Sequence, residues 1–235
     1  AAATVPELAA LCHLVRDRLS AERADVVVTL QRSMGSVQVA NTRGLDASYD
    51  VSEVSLVVRA SRLLDGRRIV IEGHLSGADL PALSELEQLV AMLRQRLAWT
   101  ERGTGLAPGR LRLTFLPSAL PPLLVPVEQA LAGRTVQAAV PPPVRRGARA
   151  FSELVSLTDD PLVNARPGSR PIDDEGVVSS PLTLVKAGVV EGLIYDLETA
   201  SRVGAQPTGH GRRTTFGKPQ PAYSNLILEA GQASW

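Results

Sequence analysis

The stretch LTDDPLVNARPGSRPIDDEG, residues 157–176, holds Asp159, Asp160, Asp173, Asp174 and Glu175. Carboxylates this dense suggest either a metal or acid/base centre, or turns built from acidic side chains. A metal centre would join carboxylates to histidines, or alternate oxygen ligands as calcium loops do. Neither spacing is present. Asp159-Asp160-Pro161 reads as the start of a turn, because an Asp side chain can hold the backbone N–H two residues on while Pro fixes φ. Asp173-Asp174-Glu175 runs into Gly176, the residue type a tight turn needs. Residue chemistry favours structural turns over a metal site, which stays as the alternative.

The three histidines are the next candidates. His13 follows Cys12 on a helical pattern, and helix neighbours point about 100° apart, so the two do not form a thiol–imidazole pair. His74 ends the strand-like run before "LSG", and His210 sits in "TGHGRR". No HExxH spacing occurs, so the chain has no self-contained zinc motif. The segment GAQPTGHGRRTTFGKPQP, 204–221, is rich in Gly, Pro and hydroxyls, with Arg212, Arg213 and Lys218 between them. Thr208, Gly209, His210, Arg212 and Arg213 form a candidate substrate- or partner-binding loop, which could wrap an anionic group through backbone N–H groups and guanidinium forks. An ordinary long surface loop is the plainer reading. The phosphate-loop pattern GxxxxGK[ST] is absent.

The elements that must position these residues are short. Leu8, Leu11, Val15 and Leu19 recur at helical spacing. The runs at 25–31 and 36–41, separated by Ser33-Met34-Gly35, read as a hairpin. Alternating segments at 48–61 and a strand at 67–73 flank Asp65-Gly66, a strong hairpin turn. Residues 79–98 give the clearest helix, with a stripe of Leu83, Leu86, Val90, Leu93 and Leu97 and a start at Asp79 before Pro81. ERGTGLAPG, 101–109, is a linker and a domain boundary. Beyond it the spacing predicts a strand over 110–116 and a helix over 118–133 that Pro126 kinks or breaks. Residues 141–147 read as an extended connector, and short strand-like runs follow at 152–158, 181–186, 188–196 and 222–229. The expectation is an α+β fold: an antiparallel β meander with helices over 1–105, then a β-rich region over 106–235.

Composition narrows the function classes. Lys plus Arg at 25 against Asp plus Glu at 24 leaves a formal charge of +1, which gives no footprint for nucleic acid or an anionic membrane. No apolar run approaches the roughly 18 residues of a membrane span. Cys12 is the single cysteine, which excludes an intrachain disulfide and fits a reducing, cytoplasmic compartment. The start at Ala1, without Met or a basic leader, and the stop after a strand-like run suggest a fragment, a processed chain or a split gene product.

Taken in order, NTRG (41–44), FSELVSLTDDP (151–161), GSRPIDDEG (168–176), LVKAGVVEGLIYDLETA (184–200), PTGHGRR (207–213) and SNLILEAG (224–231) resemble the TldD/PmbA family. That family is also called modulator of DNA gyrase, and its PmbA branch is known as TldE. The resemblance is dense over 151–231 and looser over 25–140. It implies an α+β protein working as a TldD–TldE pair in peptide proteolysis or in processing modified-peptide precursors. It also implies that family segments before and beyond this chain are missing. In such pairs TldD carries a zinc-type HExxxH helix and TldE lacks it. The metal helix should fall between the strand at 110–116 and the turn at 159, where the sequence reads SALPPLLVPVEQALAGRTV, without His or Cys. Glu128 alone cannot hold a catalytic zinc, which takes three protein ligands. The resemblance is therefore to the TldE side: no cofactor bound by this chain, zinc only in an HExxxH partner, a peptide substrate and a dimer. A stand-alone peptide- or partner-binding module is the alternative. Because the DDP and DDEG turns recur in members with and without the metal helix, the resemblance assigns Asp159, Asp160, Asp173, Asp174, Glu175 and Gly176 to shaping loops.

Overall fold

The computed structural model describes residues 3–101, 105–138 and 144–231. Parts of the expected linker at 101–109 and of the connector at 141–147 lie outside these residues. The chain divides into two compact units, Ala1–Gly35 with Val51–Ser118, and Ser36–Asp50 with Ala119–Trp235. It is an α+β protein built on antiparallel sheets.

In the first unit, helix α1 (Val5–Leu19) precedes strands β1 (Asp25–Ala40), β2 (Asp46–Leu64) and β3 (Arg67–Gly77), ordered β1-β2-β3, and helix α2 (Leu83–Thr100) follows. The hairpin expected at Ser33-Met34-Gly35 is not there. β1 runs straight through those residues, and the chain reverses at Asn41–Gly44, where Asn41 Oδ1 accepts from Arg43 N at 2.9 Å and Leu45 N at 3.2 Å. The far end of this β1–β2 hairpin, Ser36–Asp50, counts with the second unit. Asp65-Gly66 does turn β2 into β3, with Leu64 facing Arg67 and φ of 48° and 74°, the left-handed pair of a type I′ turn.

One face of β2 is buried at every second residue, Val54, Leu56, Val58 and Ala60. Leu56, Val58 and Ala60 pack with Ile71 of β3, Val15 and Leu19 of α1, and Leu86, Leu89, Val90, Leu93 and Leu97 of α2. Arg59 and Glu72 pair on the exposed side at 2.7 Å. The α2 stripe is as expected except that Leu83 is exposed and Leu89 is buried. Its start is Ala82 and not Asp79: Glu85 reaches back to accept from Ala82 N at 2.7 Å, which satisfies a donor that the helix itself leaves free.

The second unit holds α3 (Pro121–Leu131), α4 (Gly133–Gln137), β4 (Leu157–Asp159), β5 (Leu182–Lys186), β6 (Val189–Val190), α5 (Leu197–Val203), β7 (Gly211–Arg212), β8 (Gln220–Pro221) and β9 (Leu226–Leu228). One sheet runs β6-β5-β4-β9 and β7 pairs with β8. Two expectations over 110–133 change. Residues 110–116 form no strand, and Leu111, Leu113 and Phe115 are exposed; alternation without a partner strand does not make a ladder. Helix α3 continues through Pro126, and the break falls at extended Ala132, which bridges Ile194. The core gathers Leu131, Val144, Leu157, Leu184, Val185, Val190 and Ile194. Among the described residues no helix is long and apolar enough to cross a membrane.

Candidate functional site

β4 ends on Asp159, a carboxylate with no exposed surface. Its Oδ1 accepts from Ser224 N at 2.9 Å, and its Oδ2 accepts from Ser224 Oγ and faces His210 Nε2 at 3.0 Å. On the other side of the ring, His210 Nδ1 lies 2.8 Å from the Thr208 carbonyl and 2.9 Å from Thr208 Oγ1. The Thr208 hydroxyl already donates to Tyr195 O at 3.1 Å and accepts from Tyr195 N at 2.7 Å. Nδ1 thus faces one acceptor, the Thr208 carbonyl, and Nε2 faces another, the Asp159 carboxylate. Ser224 bonds Asp159 and not His210, so Ser, His and Asp here form no nucleophile–base relay.

The other acids hold backbone. Asp160 Oδ1 accepts from Leu162 N at 2.8 Å across Pro161. Asp173, 1% exposed, accepts from Glu175 N at 3.0 Å and Val177 N at 2.8 Å on Oδ1, and from Gly211 N at 2.8 Å on Oδ2. Asp174 Oδ2 accepts from Arg213 N at 2.7 Å. Glu175 Oε2 accepts from Leu197 N at 2.7 Å, the first residue of α5, which Asp196 caps. Gly176 has φ of 83°, where any side chain is strained, and a Cβ there would have to displace Leu45 Cδ2, 2.1 Å away.

Burial raises the Glu175 pKa, the Leu197 N–H opposes, and the charges of Asp173 and Asp196 add to the rise. Burial also raises Glu128 on α3, with Asp159 adding, and Tyr223, where Glu128 and Asp159 add. The Tyr223 hydroxyl donates to the Glu128 carbonyl at 2.7 Å.

Sequence reasoning missed three members of this network. Arg170 is 2% exposed and donates to Ala222 O at 3.4 Å, while its Nε and Nη1 have no partner among the described residues. Burial and Arg212 lower its pKa, and Asp174, Asp159 and Asp173 oppose them. Tyr49 belongs to the same field: burial raises its pKa first, then Asp174. Ser224 is the third. Arg170 alone carried a signal, a cation set among acids in GSRPIDDEG.

The candidate binding loop is divided by the structure. Gly209 and His210 are buried and Thr208 half-buried. Gly209, φ 72°, has no room for a side chain, since a Cβ would lie 2.8 Å from Val178 O. Arg212 and Arg213 are exposed.

A groove of about 520 Å³ runs along α3, lined by Pro126, Val127 and Ala130 and by Val144, Arg149 and Phe151, with Arg145 also on its wall. The groove's far wall is an added edge of the sheet. Val190 N donates to Ala148 O at 3.0 Å and Ala150 N to Gly188 O at 3.1 Å. This makes Arg149 and Val189 the pair whose own N–H and C=O point away from each other.

Residues 108–235 match the family model of the PmbA/TldA metallopeptidase C-terminal domain. The chain belongs to this family. A protein named Metalloprotease TldD homolog, from Haemophilus influenzae, is 37% identical over 90 residues, 38% of this chain and 19% of its own length. A metalloprotease of Methanothermobacter thermautotrophicus is 35% identical over 89 residues, 38% of this chain and 19% of its own. The crystal structure of TldE from Thermococcus kodakarensis shares the fold, with a TM-score of 0.78 and 23% identity over 96% of this chain and 51% of that one. A putative modulator of DNA gyrase from Thermotoga maritima gives 0.78 and 23% over 99% and 54%. The match thus covers about a fifth of each curated relative and about half of each solved structure.

A metallopeptidase implies a metal, and the donors among the described residues do not fit one. Among the described residues no three His, Cys, Asp or Glu side chains are grouped to hold an ion. Glu128 is the single donor of that kind on α3, His210 is committed on both nitrogens, and Cys12, His13 and His74 belong to the first unit.

Proposed function

We propose that this chain is a TldE-like, non-catalytic subunit that completes a heterodimeric TldD/TldE-type metallopeptidase in the cytoplasm. It would act in peptide proteolysis or in processing modified-peptide precursors, with the zinc carried by an HExxxH partner. The observation that carries this reading is α3. Where the family resemblance puts metal ligands, it presents Pro126, Val127 and Ala130 to a groove. Catalytic zinc needs three protein ligands and an open position, and an apolar helix face offers neither. The test is zinc content and peptide cleavage before and after an HExxxH subunit of the same organism is added. Well under one zinc per chain and cleavage only in the mixture is the expected result. One tightly held zinc per chain, or chelator-sensitive cleavage by the chain alone, would sink the reading.

The groove itself favours the second reading, a peptide-binding module without proteolytic role. Its apolar walls beside Arg145 and Arg149 suit an extended peptide with an acidic side chain. Peptide binding that is unaltered by an HExxxH subunit, with no cleavage in the mixture, would select it.

A further inference from the structure

The hairpin of β7 and β8 has a fixed base and an unpartnered tip. At the base, Gly211 N donates to Asp173, Arg213 N donates to Asp174, and Ala222 N donates to His210 O at 2.9 Å. The tip is closed by Gly217 N donating to Thr214 O at 3.1 Å. There Phe216 is 101% exposed, the largest value among the exposed large apolar side chains. Arg212, Arg213 and Lys218 flank it, all exposed, and none of the three forms an ion pair with a described residue. A fully hydrated aromatic ring gains on burial, and a base held by the Asp173 and Asp174 carboxylates loses little freedom on docking. Aromatic and Arg side chains are also what interface hot spots are made of.

We propose that this hairpin is a docking prong: Phe216 enters an apolar pocket on a second protein subunit, and carboxylates around that pocket meet Arg212, Arg213 and Lys218. The proposal rests on the pairing argued above, which makes the second subunit the HExxxH one. Charge complementarity selects an acidic protein surface, because three unpaired cations crowd one hairpin of a chain whose net charge is only +1. A membrane is the weaker fit, since one ring and three cations lack the second strong anchor that stable membrane attachment takes.

The test uses the whole chain and the purified HExxxH subunit of the same organism, with Kd measured by calorimetry. Phe216→Ala should weaken binding about 30-fold or more and leave the melting temperature unchanged, because the ring touches only solvent. Arg212→Glu combined with Arg213→Glu should slow association and flatten its salt dependence. Phe216→Ala binding within about threefold of wild type would overturn the prong and leave the pairing intact. A wild-type chain that binds no HExxxH subunit would overturn both. Phe216-dependent sedimentation with phosphatidylserine vesicles, or a Phe216-dependent homodimer in light scattering, would give the hairpin to a membrane or a second copy and overturn the proposal.

Discussion

In the first unit β2 buries Leu56, Val58 and Ala60 against the apolar faces of α1 and α2, whereas in the second, strands of two to five residues meet around carboxylates that accept backbone N–H groups. The long strands satisfy their own backbone through eleven register pairs between β2 and β3 alone. In the second unit Asp159, Asp160, Asp173, Asp174 and Glu175 accept from N–H groups of turns, of the β7 start and of the α5 N-terminus. Stability in the first unit is therefore spread over many interchangeable apolar contacts, whereas the second adds to its own apolar core a few buried oxygens that each hold backbone N–H groups. Buried polar groups are costly when a single partner is lost.

The largest expected effect tests this contrast directly. Asp159→Asn keeps the volume but sets an amide against the donors of His210 and Ser224, and should cost about 3 kcal/mol in urea denaturation. Leu93→Met keeps the volume of a fully buried residue in the other unit and should cost about 1 kcal/mol. Equal tolerance of the two substitutions would break the comparison. A smaller contrast lies inside the second unit. Asp173→Ala leaves three backbone N–H groups without their acceptor, and Asp174→Ala leaves one. Costs of about 2 and about 1 kcal/mol are expected, read from melting curves. Should Asp174→Ala prove the more damaging, counting acceptors is the wrong measure and a binding role for Asp174 follows.

The same difference decided what was legible in the sequence. Periodic burial is written locally, so the α2 stripe and the Asp65-Gly66 turn could be read directly. Gly35 misled, because a glycine inside a long strand looks like a turn until the facing strand is known. The alternation at 110–116 misled in the opposite sense, since it states a pattern and not a partner. In the second unit Pro161 and Gly176 mark the acids as turn formers, but their partners come from far along the chain. Ser224 lies 65 residues from Asp159, and His210 lies 51. Nothing at either position announces the other. The hairpin loop shows the same limit: its composition suggested one binding segment, whereas burial splits it into an interior half around His210 and an exposed half around Phe216.

The finest distinction is one of sign, between two glutamates that each hold a helix N-terminus. Glu7 in the first unit has its pKa lowered by the Thr4 N–H it accepts at 2.7 Å and then by the Thr4 hydroxyl. A carboxylate whose folded pKa lies below its unfolded one contributes stability above the unfolded pKa, and that contribution is lost as pH falls through the folded value. Glu175 in the second unit is raised, chiefly by burial. Its folded state holds the proton longer, so its contribution is complete below the unfolded pKa and is lost as pH rises through the folded one. Gln retains an acceptor oxygen and cannot ionise. Glu7→Gln should therefore lower the melting temperature at pH 7, and Glu175→Gln should raise it, each by about a degree. Both differences should vanish in acid, once the carboxylates are protonated in either state. Melting curves of the two variants and the wild type at pH 7 and in acid decide it. If Glu175→Gln melts lower at pH 7, the Glu175 charge is itself stabilising, through Arg213 nearby, and desolvation is the lesser force there.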